Sequence, residues 1–251
     1  MIGLSELVIG LYSRLKLIIS HRPQLSAWAL FILGLMVYIN VLPNQLFWDD
    51  YDSIINNFYI KDWSYFGRYF TKNLIAGAGL LSNYWRPLLL ILYSIEWHIW
   101  GDWAAGYHLV SVVIHLAAGL VFYNLFKKIT QRPVIAWLSS LIFIIHPLQT
   151  EAVTYVAGRA DPLSALLMGL GLLWYWRYRF DDSVSTKNRF YILSLLSLLA
   201  AILTKDKSII FPALLVLMEF YDWVKNAPQL LIFRILLIFM ANLRPTRKVF
   251  G

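Results

Sequence analysis

Long apolar runs alternate with short polar segments along most of this chain. The first run covers Leu25–Leu42, and Pro43 and Asn44 end it. A helix needs about 20 consecutive apolar residues to cross the hydrocarbon core of a bilayer. The pattern therefore predicts an all-α protein, a polytopic bundle of about six or seven transmembrane helices. This module covers residues 25–242 and follows a basic amphipathic lead-in, residues 1–24, on the cytoplasmic face.

Basic residues set the orientation of the later spans. Lys and Arg cluster after Phe126 and again around Arg177, and the positive-inside rule places such loops in the cytoplasm. Several runs are shorter than a full span, so we expect flanking Trp, Tyr and Arg residues to complete the crossing. The predicted spans after the first are Tyr107–Phe126, Pro133–Ile145, Leu163–Tyr178, Phe190–Leu203, Ser208–Tyr221 and Gln229–Asn242.

Residues 43–106 form a long first external loop that is rich in aromatic residues and turn formers. Within it, Tyr51–Tyr59 and Trp63–Thr71 are predicted as short juxtamembrane helices. The run Leu88–Trp100 is too short to span and contains Glu96, so we interpret it as an interfacial or half-buried helix. With this interpretation the basic residues that follow the next span fall in the cytoplasm.

Composition narrows the class of protein further. Of 251 residues, 59% are hydrophobic and 14% are charged, with a mean hydropathy of +0.61, whereas a soluble domain carries about 25% charged residues. The chain is therefore predicted to be an integral membrane protein. The cytoplasmic loops account for the net charge of +8, so we expect no nucleic-acid partner. The absence of cysteine excludes disulfides, thiolate catalysis and zinc–thiolate sites.

Two adjacent carboxylates, Asp49 and Asp50, follow the first span at the point where its helix should reach the water interface. Acidic residues next to hydrocarbon are energetically costly, which makes them candidates for function. Either carboxylate can act as a general base toward a hydroxyl or amine acceptor, and Asp50 is the candidate to hold a divalent cation. The alternative is a structural role, in which the pair caps the segment that follows.

The predicted topology places further polar side chains on the same external face as the two aspartates. Arg binds phosphate oxygens through two parallel hydrogen bonds, and Lys binds them as a point charge. These side chains predict an extracytoplasmic pocket for a substrate carried on a lipid phosphate, whose tail stays in the hydrocarbon. The candidate binding residues are Arg86, His146, Glu151, Arg159, Asp161, Lys205 and Lys207.

Structural roles compete with the functional ones at these positions. His146 precedes a proline and can simply end a helix, and the acidic residues can pair with Arg159. Lys205 and Lys207 can anchor the chain at the membrane interface. Spacing alone leaves both interpretations open for each residue.

Six short motifs occur in a fixed order along the chain. After the Asp-Asp pair come Tyr-Trp-Arg-Pro-Leu at 84–88, Gly-Tyr-His-Leu-Val at 106–110, His-Pro-Leu-Gln-Thr-Glu-Ala-Val at 146–153, Gly-Arg-Ala-Asp at 158–161 and Thr-Lys-Asp-Lys at 204–207. Over about residues 25–225, this set resembles the GT-C membrane glycosyltransferases. It is most similar to their protein O-mannosyltransferase-like branch, whose members often carry C-terminal tetratricopeptide repeats.

The resemblance implies a GT-C-like fold and an acidic motif that serves as base or metal contact. Asp49 and Asp50 map to that motif, and which of them is the base stays open. The resemblance also implies a polyprenyl-phosphate sugar as donor, inversion at the anomeric carbon, and a protein or glycan acceptor. By the same resemblance, Glu151 and Asp161 lie near donor or acceptor, and the candidates for the donor phosphate are Arg86, Arg159, Lys205 and Lys207.

The sequence supports three hypotheses of different kinds. The first is an inverting glycosyltransferase that transfers a mannose-like sugar at an extracytoplasmic site in the bacterial plasma membrane. The second is a truncated or non-catalytic membrane subunit that needs a partner subunit, because residues 243–251 are basic where the topology places them outside, and no repeat region follows. The third is a transporter, which predicts broken half-helices and an inverted repeat, and the sequence shows neither.

Overall fold

The structure is a computed structural model that describes residues 10, 13, 18–181 and 187–226. The described residues form helices and turns and contain no strand, as the hydrophobic pattern predicts. Most of the predicted lead-in, residues 1–24, lies outside the described residues. The predicted span Gln229–Asn242 and the tail, residues 243–251, lie outside them entirely.

Eight α-helices follow one another along the described chain. Proline occupies the first turn of α1, α2 and α4, where its fixed φ suits a helix start and its missing N–H costs nothing. Between the α-helices lie single 3-10 or π turns, among them Tyr51–Ile55, Phe58–Lys61, Trp63–Phe70 and Val156–Arg159. The α-helices are α1 Pro23–Tyr38, α2 Pro87–Trp100, α3 Ala104–Thr130, α4 Pro133–Ile145, α5 Thr150–Thr154, α6 Ala160–Phe180, α7 Lys187–Thr204 and α8 Phe211–Asn226.

Four helical stretches are long and apolar enough to cross a membrane. They are Pro23–Val41, Ala104–Thr130, Val156–Phe180 and Lys187–Thr204. A fifth crossing results if α4 and the segment Pro147–Thr154, which meet at a bend of 49°, form one broken span. The predicted count of six or seven is therefore not confirmed within the described residues. Helix α4 has 13 residues and α8 has 16, fewer than the roughly 20 that a complete span needs.

The segment between α1 and α2, which we name the external segment after its predicted location, forms short helices at both places where juxtamembrane helices are predicted. The predicted helix Trp63–Thr71 is a 3-10 helix, Trp63–Phe70. The predicted helix Tyr51–Tyr59 is divided in two, because the Asn57 side chain interrupts it. Its Nδ2 donates to the Leu74 carbonyl at 2.9 Å, and its Oδ1 accepts from the Tyr59 N–H at 3.3 Å. Helix α2 has 14 residues and is too short to span a bilayer, as predicted for the run Leu88–Trp100.

Two buried clusters lie in the first of two compact units, which ends at Ile209. One cluster joins α1, α3 and α4, where Gly34 and Gly119 leave room for the side chains of Leu116 and Ile144. Small residues of this kind allow close approach of membrane helices. The other cluster packs the external segment against α2 and the starts of α3 and α6, through Leu46, Ile54, Ile60, Tyr69, Leu74, Leu89, Leu90, Tyr93, Tyr107, Val156 and Ala160.

The second compact unit begins at Ile210, and α8 is its described part. Within α8, the rings of Phe220 and Trp223 lie 5.9 Å apart. All of the candidate site residues belong to the first unit. The packing of the external segment against α2, α3 and α6 therefore determines where the candidate side chains lie.

Candidate functional site

One cavity of about 440 Å³ collects acidic and basic side chains from five separate parts of the chain. We name it the Asp49 cavity. Its charged lining consists of the carboxylates Asp49, Asp52, Glu151 and Asp161 and the cations Arg86 and Lys205. Several of these carboxylates are exposed, so the cavity is reached from the surface of the protein.

The lining residues lie at the ends of the helices, which explains how such distant positions meet. Asp49 follows α1, Arg86 directly precedes α2, and Glu151 lies in α5. Asp161 lies in the first turn of α6, and Lys205 directly follows α7. The topology predicted from charge places all five positions on one face, and the structure brings all five to one cavity.

The two aspartates lie in a tight turn of the backbone. Trp48 adopts φ +50°, a left-handed conformation that is uncommon for a bulky residue. The turn is closed by the Asp50 N–H, which donates to the Phe47 carbonyl at 3.1 Å, and by the Tyr51 N–H, which donates to the Trp48 carbonyl at 3.0 Å. As a result Asp49 lines the cavity, whereas Asp50 is fully buried.

Asp50 has the contacts of a structural anchor. Its Oδ1 accepts from the Ala157 N–H at 2.7 Å, and its Oδ2 accepts from the Phe47 N–H at 3.3 Å. Burial raises the pKa of Asp50, and the two N–H donors and the charge of Arg159 oppose that rise. Both oxygens of Asp50 are thus engaged by the backbone, and its catalytic or metal-binding role stays a prediction.

Asp49 is held by a residue that the sequence did not single out. Its N–H donates to the Tyr155 hydroxyl at 3.1 Å. The Tyr155 ring packs against Phe47, with ring centroids 4.9 Å apart. Tyr155 lies between two of the quoted motifs, and only its position next to them could have indicated a role.

Arg159 is not among the residues that line the cavity, and its role as a phosphate ligand stays a prediction. It is fully buried, and its Nη1 donates to both carboxylate oxygens of Glu96 at 2.5 and 2.6 Å. Its Nη2 donates to the Tyr107 carbonyl at 3.0 Å. The sequence suggests Glu151 or Asp161 as the ion-pair partner of Arg159. In the structure that partner is Glu96 of α2.

The two cations of the cavity are arranged differently. Lys205 forms an ion pair with Asp161, and its side chain is only 10% exposed, whereas that of Asp161 is 54% exposed. The Arg86 guanidinium lies over the Tyr84 ring, 4.5 Å from its centroid, and Tyr84 also lines the cavity. The cavity thus offers one cation already paired with a carboxylate and one supported by an aromatic face.

Two further candidates, His146 and Lys207, do not line the cavity. Both are exposed, and the Nδ1 of His146 accepts from the Leu148 N–H at 3.2 Å. This contact caps the turn that follows α4, which is the structural role that the neighbouring proline suggests. The candidate set is therefore reduced to the side chains that the cavity contains.

The described residues do not provide a metal-binding cluster. No group of three or more His, Asp or Glu side chains within 18–181 and 187–226 is arranged to hold an ion. Asp50, the predicted ligand, is buried and already engaged by two backbone donors. The predicted divalent cation therefore stays a prediction.

Comparison with known proteins confirms the resemblance inferred from the motifs. The chain is 33% identical over 165 residues to protein O-mannosyl-transferase tmtc2 of Xenopus laevis, which covers 64% of this chain and 20% of that protein. It is 30% identical over 154 residues to a protein O-mannosyl-transferase of Caenorhabditis elegans, covering 59% and 22%. It is 26% identical over 195 residues to protein O-mannosyl-transferase Tmtc1 of Drosophila melanogaster, covering 76% and 22%.

The chain spans about a fifth of the length of these curated relatives. No protein-family model and no solved structure matches it. The apolar helices and the similarity to these transferases make the chain an integral membrane protein. The relatives come from animals, so they give no support to the predicted bacterial plasma membrane.

Proposed function

We propose that this chain is an inverting glycosyltransferase with a GT-C-like fold. It transfers a mannose-like sugar from a polyprenyl-phosphate donor to a hydroxyl group of a protein or glycan acceptor. The observation that carries the proposal is the Asp49 cavity, in which an accessible carboxylate and two cations face one space. Its volume of about 440 Å³ lies within the range of about 300–1,000 Å³ that is usual for small-molecule sites.

In this proposal Asp49 is the general base. Its carboxylate takes the proton of the acceptor hydroxyl while the hydroxyl oxygen attacks the anomeric carbon of the donor. The bond between that carbon and the phosphate oxygen breaks, and the polyprenyl phosphate leaves with the electron pair. A single displacement of this kind inverts the configuration at the anomeric carbon. Asp49 is preferred to Asp50 because Asp49 alone of the two lines the cavity.

Arg86 and Lys205 stabilise the negative charge that develops on the departing phosphate. Fixed cations aimed at a developing charge are among the strongest contributions to catalysis. Arg86 supplies a planar fork for the phosphate oxygens, and Lys205 supplies a point charge beside Asp161. No step in this scheme is assigned to a metal ion.

The membrane orientation of the site follows from the charges at the two ends of α6. Asp161 begins this helix at the cavity, and Arg177 and Arg179 lie in its last turn. Arg179 lies 18 positions after Asp161, a rise of about 27 Å at 1.5 Å per residue, close to the thickness of the hydrocarbon core. We place the basic end in the cytoplasm and the cavity on the extracytoplasmic side, where the polyprenyl tail stays in the lipid.

Replacing Asp49 by Asn tests the proposal. The full chain is expressed in membranes and supplied with polyprenyl-phosphate mannose carrying a radiolabel and an acceptor peptide rich in Ser and Thr. Asp49→Asn should lower the transfer rate by at least about 100-fold, the lower range of general base catalysis. Asp62→Asn is the matched control, because Asp62 lies in the same external segment and its exposed carboxylate only caps a turn.

The outcomes of this experiment distinguish the hypotheses. Wild-type membranes that transfer no sugar to any acceptor would favour a non-catalytic subunit. Undiminished transfer by the Asp49→Asn variant, with normal membrane insertion, would overturn the assignment of the base. Loss of transfer in Asp62→Asn as well would indicate that the external segment tolerates no substitution, and the role of Asp49 would then lose its support.

A further inference from the structure

We propose that the Tyr155 hydroxyl is the positioning group for the Asp49 carboxylate. This inference rests on the proposed function, in which Asp49 takes the proton of the acceptor hydroxyl. Tyr155 lines the same cavity as Asp49 and comes from a distant part of the chain, directly before the turn Val156–Arg159. Its role is to fix Asp49, through which it influences transfer.

The hydroxyl contacts the main chain of the aspartate. Its oxygen accepts a hydrogen bond from the Asp49 N–H at 3.1 Å. A phenol has one donor and two acceptor sites, so it can accept from the main chain and keep its own O–H available as a donor. One side chain thereby restrains the backbone from which the Asp49 carboxylate extends.

The turn that carries Asp49 needs such a restraint. Trp48 adopts φ +50°, and a strained conformation of this kind persists only where the surroundings enforce it. The Trp48 side chain is 80% exposed, so its own packing contributes little to holding the turn. The restraint comes from the segment around Tyr155, which packs on Phe47 and supplies the Ala157 N–H to Asp50.

Tyr155 is itself held in place, as a positioning group must be. Its N–H donates to the Glu151 carbonyl at 3.1 Å, and its carbonyl accepts from the Gly158 N–H at 3.0 Å. Burial raises the pKa of the Tyr155 hydroxyl, and the carboxylates of Asp49 and Asp50 raise it further. The hydroxyl therefore keeps its proton at neutral pH, and as a neutral phenol it accepts the Asp49 N–H.

Tyr155→Phe tests the inference, because it removes only the hydroxyl and keeps the ring on Phe47. Tyr93→Phe is the matched control, since the Tyr93 hydroxyl donates to the Val156 carbonyl of the same segment at 3.0 Å. Steady-state transfer by the full chain should show a kcat about tenfold lower in Tyr155→Phe, with KM for the polyprenyl-phosphate mannose donor within about twofold of wild type. The control should keep both parameters within about twofold of wild type.

Hydrogen exchange gives a second measurement that does not depend on activity. Without the hydroxyl, the Asp49 N–H has lost its acceptor, so exchange in a peptide covering residues 47–51 should accelerate in Tyr155→Phe and stay unchanged in Tyr93→Phe. Unchanged exchange in this peptide, or an equal fall of kcat in both variants, would overturn the positioning role. Wild-type protein that transfers no sugar would refute the proposed function instead. Active wild-type protein together with a fully active Tyr155→Phe variant would refute only the role of Tyr155.

Discussion

The buried ion pair between Glu96 and Arg159 gives the sharpest prediction about stability. Replacing Glu96 by Gln should lower the free energy of unfolding by about 3–5 kcal/mol, the usual effect of removing one partner of a buried pair. Both carboxylate oxygens of Glu96 accept from Arg159, and both side chains are buried. Glutamine preserves the shape of the side chain but leaves the guanidinium without a counter-charge.

The remaining contacts of Arg159 indicate where in this range the loss should fall. Its Nη2 still donates to the Tyr107 carbonyl at 3.0 Å, and the guanidinium still faces the Tyr93 ring at 5.1 Å. A desolvated cation–π contact is worth about 2 kcal/mol, which offsets part of the missing charge. We therefore expect a loss near the lower end of the range, about 3 kcal/mol.

Unfolding by sodium dodecyl sulfate in mixed micelles, followed by tryptophan fluorescence, measures this change. The double variant Glu96→Met with Arg159→Met should recover most of the stability, because apolar residues of similar volume often replace a buried pair without loss. A Glu96→Gln variant within about 1 kcal/mol of wild type would refute the reasoning, since only a solvated pair is worth so little. Failure of the double variant to recover would show that the charges themselves are required.

The same method and the transfer assay test the other assigned residues. Arg86→Gln and Lys205→Gln should each lower kcat/KM for the polyprenyl-phosphate donor about 10- to 100-fold, since a hydrogen bond to a charged group contributes about 1.5–3 kcal/mol; an unchanged kcat/KM would contradict their role at the phosphate. Asp50→Asn should lower the free energy of unfolding by about 1–3 kcal/mol, because an amide nitrogen cannot accept the Phe47 N–H. Burial raises the pKa of Asp50, so its contribution to stability is largest below the ordinary carboxyl pKa and falls as pH rises through the raised value. Unfolding titrations across this pH range should show that fall in wild type and not in Asp50→Asn.

The place of the cavity could be predicted from the sequence, because helix ends and loop charges determine which polar residues share a face. Asp49, Arg86, Glu151, Asp161 and Lys205 all lie at such ends, and all line one cavity. The start of α4 at Pro133 could be predicted as well, whereas α1 and α2 begin at Pro23 and Pro87, one or two residues before the predicted runs.

The roles of adjacent polar residues could not be predicted in the same way. Which aspartate faces the cavity depends on the left-handed backbone at Trp48, and no sequence pattern specifies that conformation for a tryptophan. Arg159 resembles Lys205 in the sequence, since each is a cation at a helix end beside an acidic residue. Only the tertiary contact with Glu96, 63 residues away, shows that Arg159 is buried.

The residues of the motifs thus fall into two groups. Some face the cavity, and the others, which we call frame residues, form buried contacts that hold the segments around the cavity in place. Asp49 faces the cavity while Asp50 binds the Ala157 N–H, and Asp161 faces it while Arg159 binds Glu96. Frame residues act through contacts that a substitute of matching chemistry can restore, as the paired methionines at 96 and 159 should do. Residues that face the cavity act through charge and proton affinity at one position. Loss of transfer with normal stability should therefore mark the cavity residues, and loss of stability should mark the frame.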